Sequence, residues 1–254
     1  MQHLGLFEGI GGFSLAARWA GWETVAMVEW DIFCQAVLKK NFENAIVCGD
    51  IRNFDGQPYK GKIDIITGGF PCQPFSAAGV GRGTDDDRYL WPEMLRVIRE
   101  VAPRWVVAEN VRGFVNGKNR LVFAQVQVDL EDSGYETLPC LLTSAGADGF
   151  DIRERIFILA YANGRGCPQD ASKIRLNREA GSKQALAQQM ELRRTRGGGI
   201  RGIPNSRVCR VSDGIPSRLD RYKGIGNAVN PKLVWRIFDT INRFEHEKTL
   251  PSQT

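Results

Sequence analysis

A mostly parallel α/β sheet with helices on both faces is the fold class that this sequence predicts, on three observations. Short apolar runs alternate with helical patterns through the first 160 residues. Glycine-rich segments follow two of those runs, at Gly9–Gly12 and Gly68–Gly69. The chain has 254 residues, 43% of them apolar and 25% charged, the size and balance of one ordinary domain with a small insert.

Leu4 to Phe7 reads as a buried strand, Gly9 to Gly12 as a tight turn, and Phe13 to Ala20 as a helix that Gly21 stops. Val25 to Val28 is a second strand, and Asp31 is a good N-cap for the helix after it. A third apolar stretch, Ala45 to Val47, precedes Gly49-Asp50-Ile51. Ile63 to Thr67 and Trp105 to Ala108 are strand-like, with a helix from about Pro92 to Val101 between them. Leu121 to Leu130 is helical, and Leu138 to Leu142 and Ile156 to Ala160 are two more strands. Regularity stops from Asn163 to Asn205, where one weak helical segment lies near Lys183 to Leu192. Apolar residues at 233, 234, 237, 238, 241 and 244 then mark an amphipathic terminal helix over Lys232 to Phe244.

Composition narrows the chemistry. Six scattered cysteines without a C-x-x-C pair argue against a zinc site and a disulfide framework, so reduced thiols are expected. The two histidines, His3 and His246, sit near the chain ends, which disfavours a His-based hydrolase or a His-ligated metal. No apolar run approaches the roughly 20 residues of a membrane span, and the first residues lack a signal-peptide layout. A cytoplasmic, monomeric protein without metal is expected. Between Tyr161 and Arg210 stand eleven Lys/Arg against three acids, a net +8 that leaves −3 for the rest of a +5 chain. A basic insert on a mildly acidic body points to a polyanion, although a solvated basic loop has the same composition.

Several segments carry chemistry. In Phe7-Glu8-Gly9-Ile10-Gly11-Gly12, glycines at a helix N-terminus allow close backbone approach to a ligand, as a purely structural tight turn also would. Glu29, ending the second strand, can accept hydrogen bonds from ribose hydroxyls. Trp30 can stack on a purine or belong to the core, and Asp50 can meet an adenine amino group. Gly68-Gly69-Phe70-Pro71-Cys72-Gln73-Pro74 sets a cysteine between two prolines at the carboxyl end of a strand, where α/β enzymes keep their sites. Structural cysteines do not need such a rigid loop. Glu109-Asn110 leaves another strand with an acid at its tip, and an acid in an apolar site can keep its proton. Arg153 and Arg155 suit phosphate or a base carbonyl, or a solvated strand edge.

With these segments in this order, the sequence resembles the cytosine-5 DNA methyltransferase family, in particular compact enzymes of bacteria and their phages, over nearly the whole chain except the basic insert. The resemblance implies a class I S-adenosylmethionine-dependent methyltransferase fold, Rossmann-like, over residues 1–160 and completed by 213–254. The late segment and terminal helix would then pack beside the first βα unit. Residues 161–212 would be a small target-recognition insert for double-stranded DNA. Phe7, Gly9, Gly11, Gly12, Glu29, Trp30, Asp50, Ile51, Pro71, Leu90, Asn227, Ala228 and Val229 would hold the cofactor.

Cys72, Glu109, Arg155, Arg153 and Asn110 would be the catalytic set. Cys72 would add to carbon 6 of a flipped-out cytosine, Glu109 would meet ring N3, and Arg155 would hold the base carbonyl. Arg153 would brace the loop or a phosphate, and Asn110 would help fix the catalytic loop. Gln73 to Gly83 would close over the DNA. Alternative readings are an RNA (tRNA) cytosine-5 methyltransferase and a catalytically silent DNA-binding relative. Glu8, Phe150 and Asp151 depart from the family pattern, Glu8 because many members have a small residue there.

Overall fold

The computed structural model describes residues 1–71, 89–115, 119–144, 154–162 and 227–249. They belong to one compact unit, Met1–Ile174 with Asn227–Thr254. The second unit, Arg175–Gly226, lies outside the described residues, and with it the expected helix near 183–192.

The elements run β1 (Gln2–Leu6), α1 (Gly12–Trp19), β2 (Glu23–Val28), α2 (Ile32–Asn41), β3 (Ile46–Cys48), β4 (Ile65–Gly68), α3 (Trp91–Val101), β5 (Trp105–Val111), α4 (Arg120–Asp132), β6 (Tyr135–Thr143), β7 (Glu154–Ala162) and α5 (Pro231–Thr249). The seven strands form one sheet in the order β3-β2-β1-β4-β5-β7-β6. β1 to β5 pair in parallel, while β7 runs antiparallel between β5 and β6. The predicted mostly parallel α/β sheet is therefore what the chain forms. β6 and β7 extend beyond their expected bounds because they zip together from Tyr135↔Ala162 to Thr143↔Glu154. Tyr161 and Ala162, assigned by sequence to the insert, are thus sheet residues. Pro139 is tolerated within β6 because that strand is the sheet edge.

Alternation along each strand divides the residues between two faces. Leu4, Leu6, Ile66, Val106 and Ala108 pack with Trp91, Met94, Val97, Ile98, Val126 and Leu130 of α3 and α4. On the other face Met27 packs with Leu38 of α2 and with Phe42, which caps that helix. His3 faces α5 there, its ring 6.4 Å from that of Phe238. Its two ring nitrogens bond to the hydroxyls of Thr24 (3.0 Å) and Thr67 (2.8 Å), and burial lowers its pKa to about 3. That histidine is a neutral part of the core.

The terminal helix buries Leu233, Val234, Ile237, Phe238 and Ile241, the periodicity that the sequence shows. It packs beside the first βα unit. The Trp22 ring stacks on Phe238 at 4.3 Å, Trp22 Nε1 donates to Asn242 Oδ1 at 2.7 Å, and Asn242 Nδ2 donates to the Ala20 carbonyl at 3.1 Å. At its far end Glu245 accepts from Trp105 Nε1 (2.8 Å) and Arg104 (2.7 Å).

Candidate active site

Strand order places the site. From β1 the chain proceeds outward to β2 and β3, whereas β4 returns to the other side of β1 and continues to β5. The switch lies between β1 and β4, and in open α/β sheets ligands bind in the crevice beyond the carboxyl ends of strands at that point. The glycine turn leaves β1 there and the Phe70-Pro71 segment leaves β4 there. Because β7 is antiparallel, its first residues, with Arg155 opposite Val111, lie at the same end of the sheet.

The glycine turn is held tightly. Phe7 (φ 53), Gly9 (φ 59) and Gly11 (φ 96) all take left-handed conformations, strained only for Phe7. A Cβ on Gly11 would come within 2.6 Å of the Phe42 ring, and one on Gly12 within 2.7 Å of Val229 Cγ1 and 2.9 Å of the Val229 carbonyl oxygen. The turn and the segment before α5 are therefore in direct contact. A Cβ on Gly9 would meet nothing within 4 Å, so that side of the turn is open.

Glu29 braces the turn from the end of β2. Its Oε2 accepts from the Gly9 amide at 2.7 Å and its Oε1 from the Asp31 amide at 2.8 Å. Burial raises its carboxyl above the ordinary range, against the pull of those amides. Trp30 is 73% exposed, which decides against the core reading of that residue. Asp50, beyond neighbouring β3, caps a 3₁₀ turn by accepting from the Arg52 amide at 3.0 Å. Ile51 differs from its neighbours: its side chain is buried in the core.

The second loop is fixed by aromatic packing and one amide. Phe70 is buried against the Trp91 ring at 5.1 Å and the Phe114 ring at 5.5 Å. Asn110 Nδ2 donates to the Phe70 carbonyl at 3.1 Å, two residues before Cys72, while its Oδ1 accepts from the Val111 amide. Leu90, partly buried, forms the N-cap position of α3.

Glu109 does not stand in the purely apolar setting that its strand suggested. Its Oε1 is 2.7 Å from Arg155 Nε, and both side chains are largely buried. A Cβ on Gly69 would lie 3.0 Å from Glu109 Oε2, so that glycine makes room for the carboxyl group. Arg155 also donates to the Glu154 carbonyl at 3.0 Å, and Glu154 itself pairs with Arg112. Cys72, Arg153, Gln73–Gly83, Phe150 and Asp151 lie outside the described residues. Asn227, Ala228 and Val229 lead into α5, and of these Val229 meets the glycine turn.

Sequence reasoning missed two residues that shape this end of the sheet. Arg96 of α3 donates to the carbonyls of Ile51 (2.8 Å) and Phe54 (3.0 Å) and pairs with Glu93 and Glu100, pinning the segment after Asp50. Its signal was the acid spacing at i−3 and i+4. Glu8, noted only as a departure, is buried beneath the turn and accepts from the Ser14 amide at 2.7 Å. Among the described residues no group of three or more His, Cys, Asp or Glu could hold a metal ion, and no helix is long and apolar enough to cross a membrane.

Comparison with known proteins gives a consistent picture. The family described as C-5 cytosine-specific DNA methylase matches residues 1–197. The Type II methyltransferase M.PspPI of Psychrobacter sp. is 41% identical over 135 residues, which is 52% of this chain and 32% of that protein. The Type II methyltransferase M.NgoMIV of Neisseria gonorrhoeae is 34% identical over 161 residues, 63% of this chain and 51% of the relative. The chain thus matches between a third and a half of the length of these relatives. Among solved structures, a prophage-encoded DNA modification methyltransferase of Escherichia coli superposes with a TM-score of 0.55 at 28% identity, over 64% of this chain and 47% of that one. DNMT2 of Spodoptera frugiperda gives 0.55 at 26% identity, over 66% and 52%.

Proposed function

The chain belongs to the C-5 cytosine-specific DNA methylase family, and from that premise we propose that it transfers a methyl group from S-adenosylmethionine to carbon 5 of cytosine in duplex DNA. The observation that carries this reading is the meeting, at the switch point of the sheet, of a glycine turn and the loop that leads to Cys72, with the Glu109–Arg155 pair beside it.

The residues present suit the cofactor. The turn is open over Gly9, Val229 lies against Gly12, an exposed indole stands at Trp30, and carboxylates at Glu29 and Asp50 end neighbouring strands. Glu29 and Asp50 would take the ribose and adenine ends, Trp30 would stack on the ring, and Phe7, Gly9, Gly11, Gly12 and Ala228 would line the rest. Pro71, Leu90 and Asn227 would close the methyl-bearing side, while Ile51 would contribute through its backbone. When bound, S-adenosylmethionine supplies an electrophilic methyl group on a sulfonium.

Carbon 5 of cytosine is too weak a nucleophile to take that methyl group unaided. Cys72, as thiolate, would add to carbon 6 and push electrons toward carbon 5. Only about 3% of an ordinary thiol is ionised at neutral pH, so the site must favour the thiolate. Ring N3 and the carbonyl at carbon 2 are adjacent on the base edge, and Glu109 beside Arg155 offers a matching pair, a carboxyl group for N3 and a guanidinium for the carbonyl. Asn110 keeps the loop backbone at Phe70 in place. Once carbon 5 carries the methyl group, its proton leaves to a base and the Cys72–carbon 6 bond breaks, restoring the aromatic ring. The cytosine must leave the duplex stack first, at a few kcal/mol. The basic segment 161–212 would supply the grip on DNA, with Arg153 on the loop or a phosphate.

Labelled-methyl transfer tests the reading. Duplex DNA should be labelled and tRNA should not, and Cys72→Ser should abolish labelling while cofactor binding persists. Labelling of tRNA alone would replace the DNA substrate, and a Cys72→Ser variant that works at the normal rate would overturn the mechanism.

A further inference from the structure

Glu8 stands in the cofactor turn, yet it is only 4% exposed and its carboxyl group lies against Gly5 of β1. Helix α1 has Gly11 at its N-cap, a residue with no side-chain oxygen to satisfy the first amides. Ser14, the third helical residue, instead donates its amide to Glu8 Oε1 at 2.7 Å. Glu8 therefore caps α1 from three residues before the usual position. Its space is made by a missing side chain: a Cβ on Gly5 of β1 would lie 2.0 Å from Glu8 Oε2. Among the described residues, that Oε2 and the Ser14 hydroxyl oxygen are buried without a hydrogen-bond partner.

Two forces compete for this carboxyl group. Burial favours the proton, whereas amides at a helix N-terminus favour the charge. Burial raises its pKa, Ser14 pulls it down and the charge of Glu29 adds to the rise, which together leave it at about 7. The groups that face it are Glu29 from the end of β2, His3 from β1 (uncharged near neutrality), and Ser14 from α1, whose first turn holds no acid. β4 presents the hydroxyl of Thr67 to His3, and the segment before α5 meets this turn through Val229.

We propose that Glu8 is a positioning residue whose carboxyl group, by holding or releasing one proton beneath the cofactor turn, sets how strongly the turn prefers the cationic methyl donor over its neutral demethylated product. The inference rests on the methyl-donor reading above. S-adenosylmethionine and S-adenosylhomocysteine differ at this site by the methyl group and one positive charge. An ionised Glu8 adds a negative charge behind the turn and favours the cation, so product inhibition eases as pH rises.

Isothermal titration of the full chain with each ligand, without DNA, at pH 6, 7 and 8 tests this. For the wild type the ratio of donor affinity to product affinity should rise about fivefold, the order expected for one added charge in a partly screened site. Glu8→Gln keeps an oxygen for the Ser14 amide but cannot ionise, so only the smaller dependence belonging to the ligands and Glu29 should remain. An unchanging ratio in the wild type, or an equal rise in Glu8→Gln, overturns the inference and leaves the methyl-donor reading standing. A wild type that binds neither ligand overturns both.

Discussion

Two buried ionisable groups, Glu8 and His3, oppose one another as pH changes. Glu8 has its folded pKa raised from 4.5 to about 7, so between those values the unfolded chain releases a proton that the folded chain keeps. Stability therefore falls as pH rises from 4.5 to 7, by roughly 3 kcal/mol in total, and then levels off. His3 has its folded pKa lowered from 6.5 to about 3, so between those values the unfolded chain binds a proton that the folded chain refuses. Its effect is the reverse: stability rises with pH over that interval and is complete above 6.5. The two slopes cancel between pH 4.5 and 6.5. Glu8→Gln should expose the His3 slope, a gain of about 1.4 kcal/mol per pH unit, in urea unfolding at pH 5 and 6. A variant whose stability follows pH just as the wild type's does would show that Glu8 titrates normally.

Elements meet here through small residues and single amides. A Cβ on Gly12 would press on the backbone oxygen of Val229, an atom that cannot swing aside. Gly12→Ala should therefore destabilise the fold by about 1–3 kcal/mol although alanine is the better helix former, and should weaken S-adenosylhomocysteine binding. Thermal melting and titration would check both effects, and unchanged values would separate α5 from the turn. Asn242 serves α1 and α5 together, accepting from Trp22 and donating to Ala20. Asn242→Leu should lower stability by about 1–3 kcal/mol because it strands the Trp22 N–H, a loss that chemical unfolding would register. An unaltered midpoint would show that the Asn242 amide adds nothing to the hold on α5.

At the scale of the whole molecule, charge is set apart from fold. If the eleven basic residues between 161 and 210 grip phosphates, DNA affinity should fall about 100-fold or more between 50 and 200 mM salt. A flat response in a salt titration would remove that segment as the grip. The sheet, by contrast, was legible along the chain. Alternating apolar runs, Asp31 as a cap, Gly21 as a stop and the 233–241 periodicity each act between near neighbours, so local sequence determined them. Sequence order also determined the family, because its segments are short and contiguous. Tertiary structure alone decided what lies beside what: Gly12 against Val229, Glu109 on Arg155 rather than in an apolar pocket, Trp30 exposed while Ile51 is buried, and Glu8 turned under the helix that it caps. Such pairings follow from sheet register and from which face each residue presents, and those are settled by burial across the whole sheet, not by neighbours along the chain.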